Sequence, residues 1–282
     1  MGAATDRWRL TVAYRGNGFH GFAIQPNQKT VAGELASALR NLARLSEPPF
    51  IVCAGRTDAG VHATAQVVHV DLPSPLPEGR DGVPTVEAML RSLNRQLGGD
   101  LSVIDARIVP DTFDARHSAR WRRYRYLIHE GHAPDPLLKD LAWNVTGALD
   151  ERTMAQAVGV FIGSHDFRAF CRKAPNQSSG DPIVRLVTDA SVQVVDHEGI
   201  IDLAGGRLVR IEIQARAFCH QMVRSIVGQL VEVGLGRCTI ADVVELLHGH
   251  DRQWAAQPAP PQGLCLIGVG YDDTAEAPVE GA

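Results

Sequence analysis

The sequence lacks the features of a membrane protein and of a disulfide-rich or zinc-binding domain. No apolar run approaches the roughly 18 residues of a membrane helix, and the N-terminus has no signal-peptide core. We therefore expect a cytoplasmic protein without membrane contact. Cysteine is scarce and forms no C-x-x-C pair, which predicts reduced thiols instead of a disulfide framework or a tetrahedral zinc site. The five cysteines are Cys53, Cys171, Cys219, Cys238 and Cys265.

The chain also lacks a strong charge of one sign. Its net charge is −4, and 45% of its 282 residues are hydrophobic, which is typical of a globular protein with a sizeable core. The distribution of charge is less even than the total. Two groups of basic residues stand out, and they favour either a phosphate-binding surface or a solvated strand face. The first group is Arg116, Arg120, Arg122, Arg123 and Arg125, and the second is Arg168, Arg172 and Lys173.

Hydrophobic periodicity predicts the order strand-helix-strand-strand-helix-strand in each of two successive halves of the chain. Two segments alternate like half-buried strands, and two carry an apolar stripe at helical spacing. The strands are 8–14 and 123–129; the helices are 31–42 and 151–162, with later helices near 86–97, 218–233 and 241–247. This order predicts an α+β fold of two ferredoxin-like βαββαβ halves with antiparallel sheets.

The division into halves is expected near residue 113. We assign residues 7–112 to an N-terminal half and residues 113–272 to a C-terminal half. Residues 1–6 and 273–282 are small, polar or acidic without apolar period, so we expect them to be disordered.

One loop carries the most specific motif, Gly55-Arg56-Thr57-Asp58-Ala59-Gly60-Val61-His62, and lies between predicted strands 49–53 and 66–70. Its glycines allow a sharp turn, and they leave the Asp58 carboxylate beside Arg56 on a loop that strands hold in place. From the residues alone, an ordinary polar turn is the commoner interpretation.

Three more segments follow this loop in order. They are Phe113-Asp114-Ala115-Arg116-His117-Ser118-Ala119, Arg122-Arg123-Tyr124-Arg125-Tyr126, and Phe218-Cys219-His220-Gln221-Met222-Val223-Arg224-Ser225-Ile226-Val227-Gly228, with a weaker match at Gly263-Leu264-Cys265-Leu266. Together with the loop they resemble the tRNA pseudouridine synthase A family, over about residues 10–271. The resemblance implies two fused halves around a central RNA-binding cleft and a homodimer. It also implies isomerisation of uridine at positions 38, 39 and 40 of the tRNA anticodon stem-loop, without a cofactor or metal.

The resemblance makes Asp58 the essential carboxylate. Whether it attacks the uracil ring, attacks the ribose or removes a sugar proton stays open. Arg224 is its expected partner, because a helix that is apolar on most sides buries its arginine, and a buried cation requires an anion. The alternative is that Arg224 extends past its neighbours to water.

Tyr124 is expected to stack on the target base, with its hydroxyl near the carbon that loses a proton. Tyr126, on the same face of the strand, is the alternative. The substrate-binding residues implied by the resemblance are Arg56, His62, Arg116, Arg122, His220 and Leu264, with Leu266 as the alternative to Leu264. A metal site formed by Asp58, His62 and His69 is disfavoured.

Two other function classes remain open. A non-catalytic RNA-binding or RNA-chaperone protein could use the same basic cleft, although a carboxylate such as Asp58 would repel phosphates there. A metal-dependent phosphohydrolase is the third class. Two segments depart from the family pattern, at residues 20–25, where members often carry aromatic-Gly-Trp-Gln, and at residues 170–182. We expect both to concern recognition of RNA shape.

Overall fold

The computed structural model describes residues 4–78, 82–172, 181–195, 206–249 and 252–272. The chain divides into two compact units. The first contains the chain up to Arg120 and again from Leu266 onwards, and the second runs from Trp121 to Cys265. Segments 113–120 and 266–272, which the sequence assigned to the C-terminal half, thus belong to the first unit.

The first unit has the element order β-α-β-β-α-β, and a last strand completes it. The elements are β1 (Thr5–Tyr14), α1 (Val31–Ala43), β2 (Val52–Cys53), β3 (His62–Pro73), α2 (Val86–Leu97), β4 (Leu101–Val109) and β10 (Leu264–Gly270), whose first two residues belong to the second unit. The sheet order is β4-β1-β3-β10, with β2 also paired to β3. Strand β1 is antiparallel to β3 and β4, and β2 is antiparallel to β3. The predicted α+β class is confirmed.

Local sequence explains where the helices of this unit begin and end. Thr30 caps α1 by accepting a hydrogen bond from the Gly33 amide, and Thr85 caps α2 in the same way. Helix α2 ends at Gly98, whose φ of 72° is left-handed and suits glycine. The predicted helices 31–42 and 86–97 therefore match α1 and α2 closely.

Strand β1 begins earlier than the sequence indicated. Thr5 and Asp6 pair with Pro73 and Leu72 of β3, so the expectation of disorder is wrong for these two residues. Backbone pairing orders them although their side chains carry no apolar signal. Residues 1–3 and the tail 273–282 lie outside the described residues.

Packing explains why the first unit extends beyond residue 112. Phe113 and Ala115 are buried in one cluster with Val67 and Val109. The Tyr271 ring lies 5.0 Å from that of Phe113, and its hydroxyl donates to the Ala115 carbonyl over 2.7 Å. These contacts bind segment 113–120 to the core of the first unit.

The described residues of the second unit form five strands and three α-helices besides the start of β10. They are β5 (Trp121–Glu130), β6 (Trp143–Val145), α3 (Glu151–Gly159), β7 (Gly163–Asp166), β8 (Val184–Val195), β9 (Arg207–Ala215), α4 (Met222–Gly234) and α5 (Ile240–Gly249). The sheet order is β5-β9-β8-β7 with antiparallel neighbours, and β6 pairs parallel to β5. Helix α4 begins four residues later than predicted, because Gln221 adopts a left-handed φ of 66°.

Two cysteines of the second unit form a disulfide. Cys171 and Cys219 are bonded with their Cα atoms 5.8 Å apart. The expectation of reduced thiols is therefore wrong for this pair, which lies too far apart in sequence for spacing to suggest it. Cys53 is free, and burial raises the pKa of its thiol to about 11. Among the helices of the described residues, none is long and apolar enough to cross a membrane.

Candidate functional site

The Asp58 loop (residues 54–61) is fixed to the sheet of the first unit at its N-terminal end. The Ala54 amide donates to the Val67 carbonyl over 2.8 Å. The buried side chain of Gln66 donates to the Gly55 carbonyl over 2.6 Å. The loop then closes on itself, since the Val61 amide donates to the Asp58 carbonyl over 3.1 Å. The position of the Asp58 backbone is thus set by strand β3.

The segment after β1 supports the same loop from another side. The Phe22 amide donates to the Thr57 carbonyl over 3.0 Å, and the Tyr14 and Thr57 hydroxyls are hydrogen-bonded over 2.8 Å. A Cβ on Gly16 would lie 2.2 Å from the Val61 carbonyl oxygen, so only glycine fits there. Phe22, where the sequence departs from the family pattern, is buried at 3% exposure. Its place in the core indicates that it supports the loop.

The side chains of the loop differ in exposure. The Asp58 side chain is half-buried, whereas Arg56 is exposed. Arg116 is also exposed, and its backbone amide donates to the Asp114 carboxylate over 2.8 Å. The loop therefore presents a partly shielded carboxylate, and the first unit also presents guanidinium groups that solvent reaches.

Two histidines of β3 are buried acceptors. The Nδ1 atom of His62 accepts from the Gly16 amide over 3.0 Å, and that of His69 accepts from the Ala115 amide over 2.9 Å. Burial, followed by the charge of Arg7, lowers the pKa of His69. Within the described part of the chain, no group of three or more His, Cys, Asp or Glu side chains could hold a metal ion.

The two tyrosines of β5 lie in different surroundings. Tyr126 is fully buried, and its hydroxyl donates to the Pro260 carbonyl over 2.7 Å. Burial raises the pKa of that hydroxyl, although the charge of Arg224 opposes the shift. The ring of Tyr124 packs edge-on against Phe218, with centroids 5.1 Å apart. Both rings are buried, Tyr124 at 8% and Tyr126 at 0% exposure. Because the Tyr126 hydroxyl is bonded to Pro260, Tyr124 is the better candidate for contact with a base.

Arg224 lies in the first turn of α4, and a returning segment of the chain holds it. Its Nε donates to the Ala259 carbonyl over 2.6 Å, and the Ala259 amide donates to the Arg224 carbonyl over 2.9 Å. One turn later, a Cβ on Gly228 would lie 2.1 Å from the Gln257 carbonyl oxygen. The segment 257–260 thus covers the Arg224 face of α4. Sequence reasoning missed this segment, and the glycine at position 228 was the available signal.

A cavity of about 610 Å³ opens beside Arg224 in the second unit. Of the lining residues that the structure describes, three are arginines and none is acidic. The lining residues are Arg172, Gln221, Arg224, Arg252, Gln257 and Pro258. Sequence reasoning placed Arg172 in a basic group but missed Arg252.

Three of the five arginines in the first predicted basic group are neutralised by carboxylates. Arg120 pairs with Asp272 over 2.5 Å, Arg123 with Asp189 over 3.1 Å and Arg125 with Glu212 over 2.8 Å. Strand register explains the last pair, because Arg125 lies directly opposite Glu212 of β9. In the second predicted group, Arg168 pairs with Asp166 over 2.7 Å, while Lys173 lies outside the described residues.

The remaining predicted substrate-binding residues are mostly buried. Arg122 is 8% exposed, and its Nη1 donates to the Arg216 carbonyl over 2.8 Å. Leu264 and Leu266 are both buried. His220 is exposed, and its carbonyl accepts the Arg172 amide over 2.9 Å. Asp58 and Arg224 belong to different units, and their expected pairing stays a prediction.

Comparison with known proteins gives consistent matches. A family model described as tRNA pseudouridine synthase matches residues 157–272. A protein named tRNA pseudouridine synthase A from Cutibacterium acnes is 41% identical over 266 residues, which cover 94% of this chain and 88% of that protein. Relatives of the same name come from Leifsonia xyli subsp. xyli, at 41% identity with coverages of 96% and 93%, and from Caulobacter sp. strain K31, at 38% with 94% and 98%.

Among solved structures, a Cbf5-Nop10-Gar1 complex matches with a TM-score of 0.34 and 14% identity, covering 92% of this chain and 49% of that chain. This similarity is too low to support an inference. The sequence relatives decide the family, because they are 38–41% identical to this chain over nearly the whole length of both proteins. The chain belongs to the tRNA pseudouridine synthase A family.

Proposed function

We propose that this chain converts uridine to pseudouridine at positions 38, 39 and 40 of the tRNA anticodon stem-loop, with Asp58 as its essential carboxylate. The isomerisation of tRNA uridine is the reaction of the family to which the chain belongs. The assignment of the modified uridines to the anticodon stem-loop rests on the resemblance of the motifs to those of the family. The observation that supports Asp58 is the bracing of its loop by Gln66, Phe22 and Tyr14.

The chemistry explains why a carboxylate is needed. The reaction breaks a nitrogen–carbon glycosidic bond and forms a carbon–carbon bond to the same ribose, so no group donor or redox partner takes part. An ionised Asp58 can serve as nucleophile on the base or the ribose, or as the base that removes a sugar proton. Hydrogen bonds from Gln66, Phe22 and Tyr14 hold the loop that carries it, so little conformational entropy has to be lost to place the carboxylate during catalysis.

Tyr124 and Arg224 complete the proposed catalytic set. Tyr124 offers an aromatic face for stacking and a hydroxyl for proton transfer. The guanidinium of Arg224 is oriented by Ala259, and it suits stabilisation of a carboxylate or of developing negative charge.

The proposed substrate-binding residues fall into two groups. Arg56, Arg116 and His220 are exposed, and we propose that they contact RNA directly. The other group is buried, and we propose that its members position their neighbours: His62 acts through Gly16 and Arg122 through the Arg216 carbonyl, while Leu264 walls the site.

We also propose that the protein works in the cytoplasm as a homodimer, as the resemblance implies. Most side chains of α4 are buried in the single chain, so the apolar surface for such a contact must come from elsewhere. Strand β8 offers it, since Val184, Leu186 and Val194 are 52%, 36% and 44% exposed. Light scattering on the purified protein would test the dimer, and a monomeric mass would contradict it.

The decisive experiment compares Asp58→Asn with Asp105→Asn. Asp105 is an exposed carboxylate on β4 of the same unit, paired with Arg9, so its substitution removes the same charge outside the loop. Both variants are incubated with unmodified tRNA transcripts, new pseudouridines are mapped at nucleotide resolution, and tRNA affinity is measured separately. We expect Asp58→Asn to lose turnover and keep binding, and Asp105→Asn to retain both.

Two results would contradict the proposal. Unchanged turnover in Asp58→Asn would remove that carboxylate from the mechanism. Tight tRNA binding by the wild type without any pseudouridine would favour the non-catalytic RNA-binding alternative.

A further inference from the structure

The arginine cavity of the second unit has the character of an anion site. It brings together side chains from three separate parts of the chain, namely Arg172, Arg224 and Arg252, and among the described residues that line it none is acidic. Its volume is about 610 Å³, and it is broadly open to solvent. Guanidinium groups that line one cavity are suited to phosphate, because each can donate two parallel hydrogen bonds to its oxygens.

Of the three cavity arginines, Arg252 has the surroundings that most favour a bound anion. Its Nη1 is buried, and in the described part of the chain it has no hydrogen-bond partner. Burial lowers the pKa of Arg252, and the positive charge of Arg172 lowers it further. A buried donor without an acceptor and a like-charge neighbour are both unfavourable. An anion bound there would relieve both.

The N-terminus of α4 adds to this positive environment. The cap residue Gln221 lines the cavity, and its side chain makes no capping hydrogen bond. The first turn of α4 contains no acidic residue that would offset the helix dipole. Backbone amides at the start of a helix bind phosphate readily, so this end of α4 strengthens the attraction of the arginines.

We propose that this cavity binds a backbone phosphate of the tRNA, with Arg172 and Arg252 as its binding residues. The inference rests on the proposed function in that tRNA is the polyanion. A phosphate held beside Arg224 would fix the position of the nucleotide chain next to the reacting uridine. In the second unit, the strand arginines of the first predicted basic group are bonded within the protein, which makes Arg172 and Arg252 the stronger phosphate contacts there.

The test compares Arg252→Gln and Arg172→Gln with the control Arg152→Gln. Arg152 is an exposed arginine of α3 in the same unit and does not line the cavity. The affinity for unmodified tRNA is measured over a range of KCl concentrations, and KM and kcat are measured for pseudouridine formation. Circular dichroism confirms folding. Since Arg172 is exposed, Arg172→Gln keeps the test valid even if Arg252→Gln fails to fold.

Each cavity variant should reduce the slope of log affinity against log salt by about 0.7–0.9, the amount expected for one lost phosphate contact. It should raise KM and leave kcat nearly unchanged, because the residue binds the substrate without touching the reacting atoms. Arg152→Gln should behave as the wild type. An unchanged slope in both cavity variants would overturn the proposal, as would a fall in kcat with KM unaltered.

Inorganic phosphate distinguishes the two possible sources of the anion. A site made for free phosphate would bind it tightly in calorimetry and leave the salt slope of tRNA binding unaffected by the variants, which would also overturn the proposal. Failure of the proposed function is seen separately, because it would leave the wild type without pseudouridine formation whatever the arginine variants do.

Discussion

Arg224 and Ala259, 35 residues apart in the chain, exchange two hydrogen bonds. The guanidinium Nε donates to the Ala259 carbonyl over 2.6 Å, and the Ala259 amide donates to the Arg224 carbonyl over 2.9 Å. The direction of the arginine side chain is therefore set by a segment outside its own helix. The role of Arg224 can therefore be tested in two ways, by changing Arg224 itself and by displacing the segment that contains Ala259.

Arg224→Lys should keep the positive charge but lose the donor that reaches Ala259. We expect kcat to fall by at least about tenfold, because lysine cannot reproduce the geometry of a guanidinium, while tRNA affinity changes little. Single-turnover kinetics with saturating enzyme measure the effect. Arg224→Leu should abolish turnover. Near-normal activity in the leucine variant would show that Arg224 takes no part in the reaction.

Gly228→Ala should displace the segment that holds Arg224. The new Cβ would lie 2.1 Å from the Gln257 carbonyl oxygen, so the backbone of 257–259 has to move. We expect the free energy of unfolding to fall by about 1–3 kcal/mol, with a loss of kcat. The control is Gly159→Ala at the end of α3, where no atom lies within 4 Å of the new Cβ. Denaturant unfolding that ranks the two variants equally would contradict the expectation.

Tyr124→Phe should reduce turnover, whereas Tyr126→Phe should reduce stability. Tyr126→Phe leaves the half-buried Pro260 carbonyl without its donor, which should cost about 0.5–1.5 kcal/mol of stability and spare turnover. Tyr124→Phe keeps the edge-on contact with Phe218 but removes the proposed proton-transfer group, so turnover should fall. Thermal unfolding and pseudouridine formation are measured on both. Full activity in Tyr124→Phe together with an inactive Tyr126→Phe would reassign the role.

The Cys171–Cys219 disulfide predicts a defined thiol count and a stability effect. Three thiols should titrate in denaturant without reductant, and all five after reduction. Cys171→Ser should lower the free energy of unfolding by about 2–4 kcal/mol, and adding Cys219→Ser should cost little more, because the bond is already lost. Titration of five thiols in the unreduced protein would show that the bond is absent.

Much of the fold follows from local patterns. Helix α2 coincides with the predicted 86–97, since its apolar period, its Thr85 cap and its terminal Gly98 are all encoded within one segment. Helix α4 was placed too early, because the apolar residues continue through the sharp turn at Gln221. Backbone geometry at a single residue overrode the hydrophobic pattern there.

The candidate site was less accessible to sequence reasoning. The motifs pointed to Asp58 and Arg224, but the contact of Arg224 with Ala259 depends on how a distant segment packs on α4. The neutralisation of Arg125 by Glu212 depends on the register between β5 and β9, which no local pattern specifies. The arginine cavity likewise draws Arg172 and Arg252 from separate segments.

His69 makes the first unit sensitive to acid. Its Nδ1 must remain unprotonated to accept the Ala115 amide, and its pKa in the folded state is lowered from the ordinary value. The unfolded chain therefore takes up a proton more readily as the pH falls below about 6.5, and the folded form loses stability from there downwards. The bond that ties segment 113–120 to β3 should thus be among the first to weaken in mildly acidic buffer.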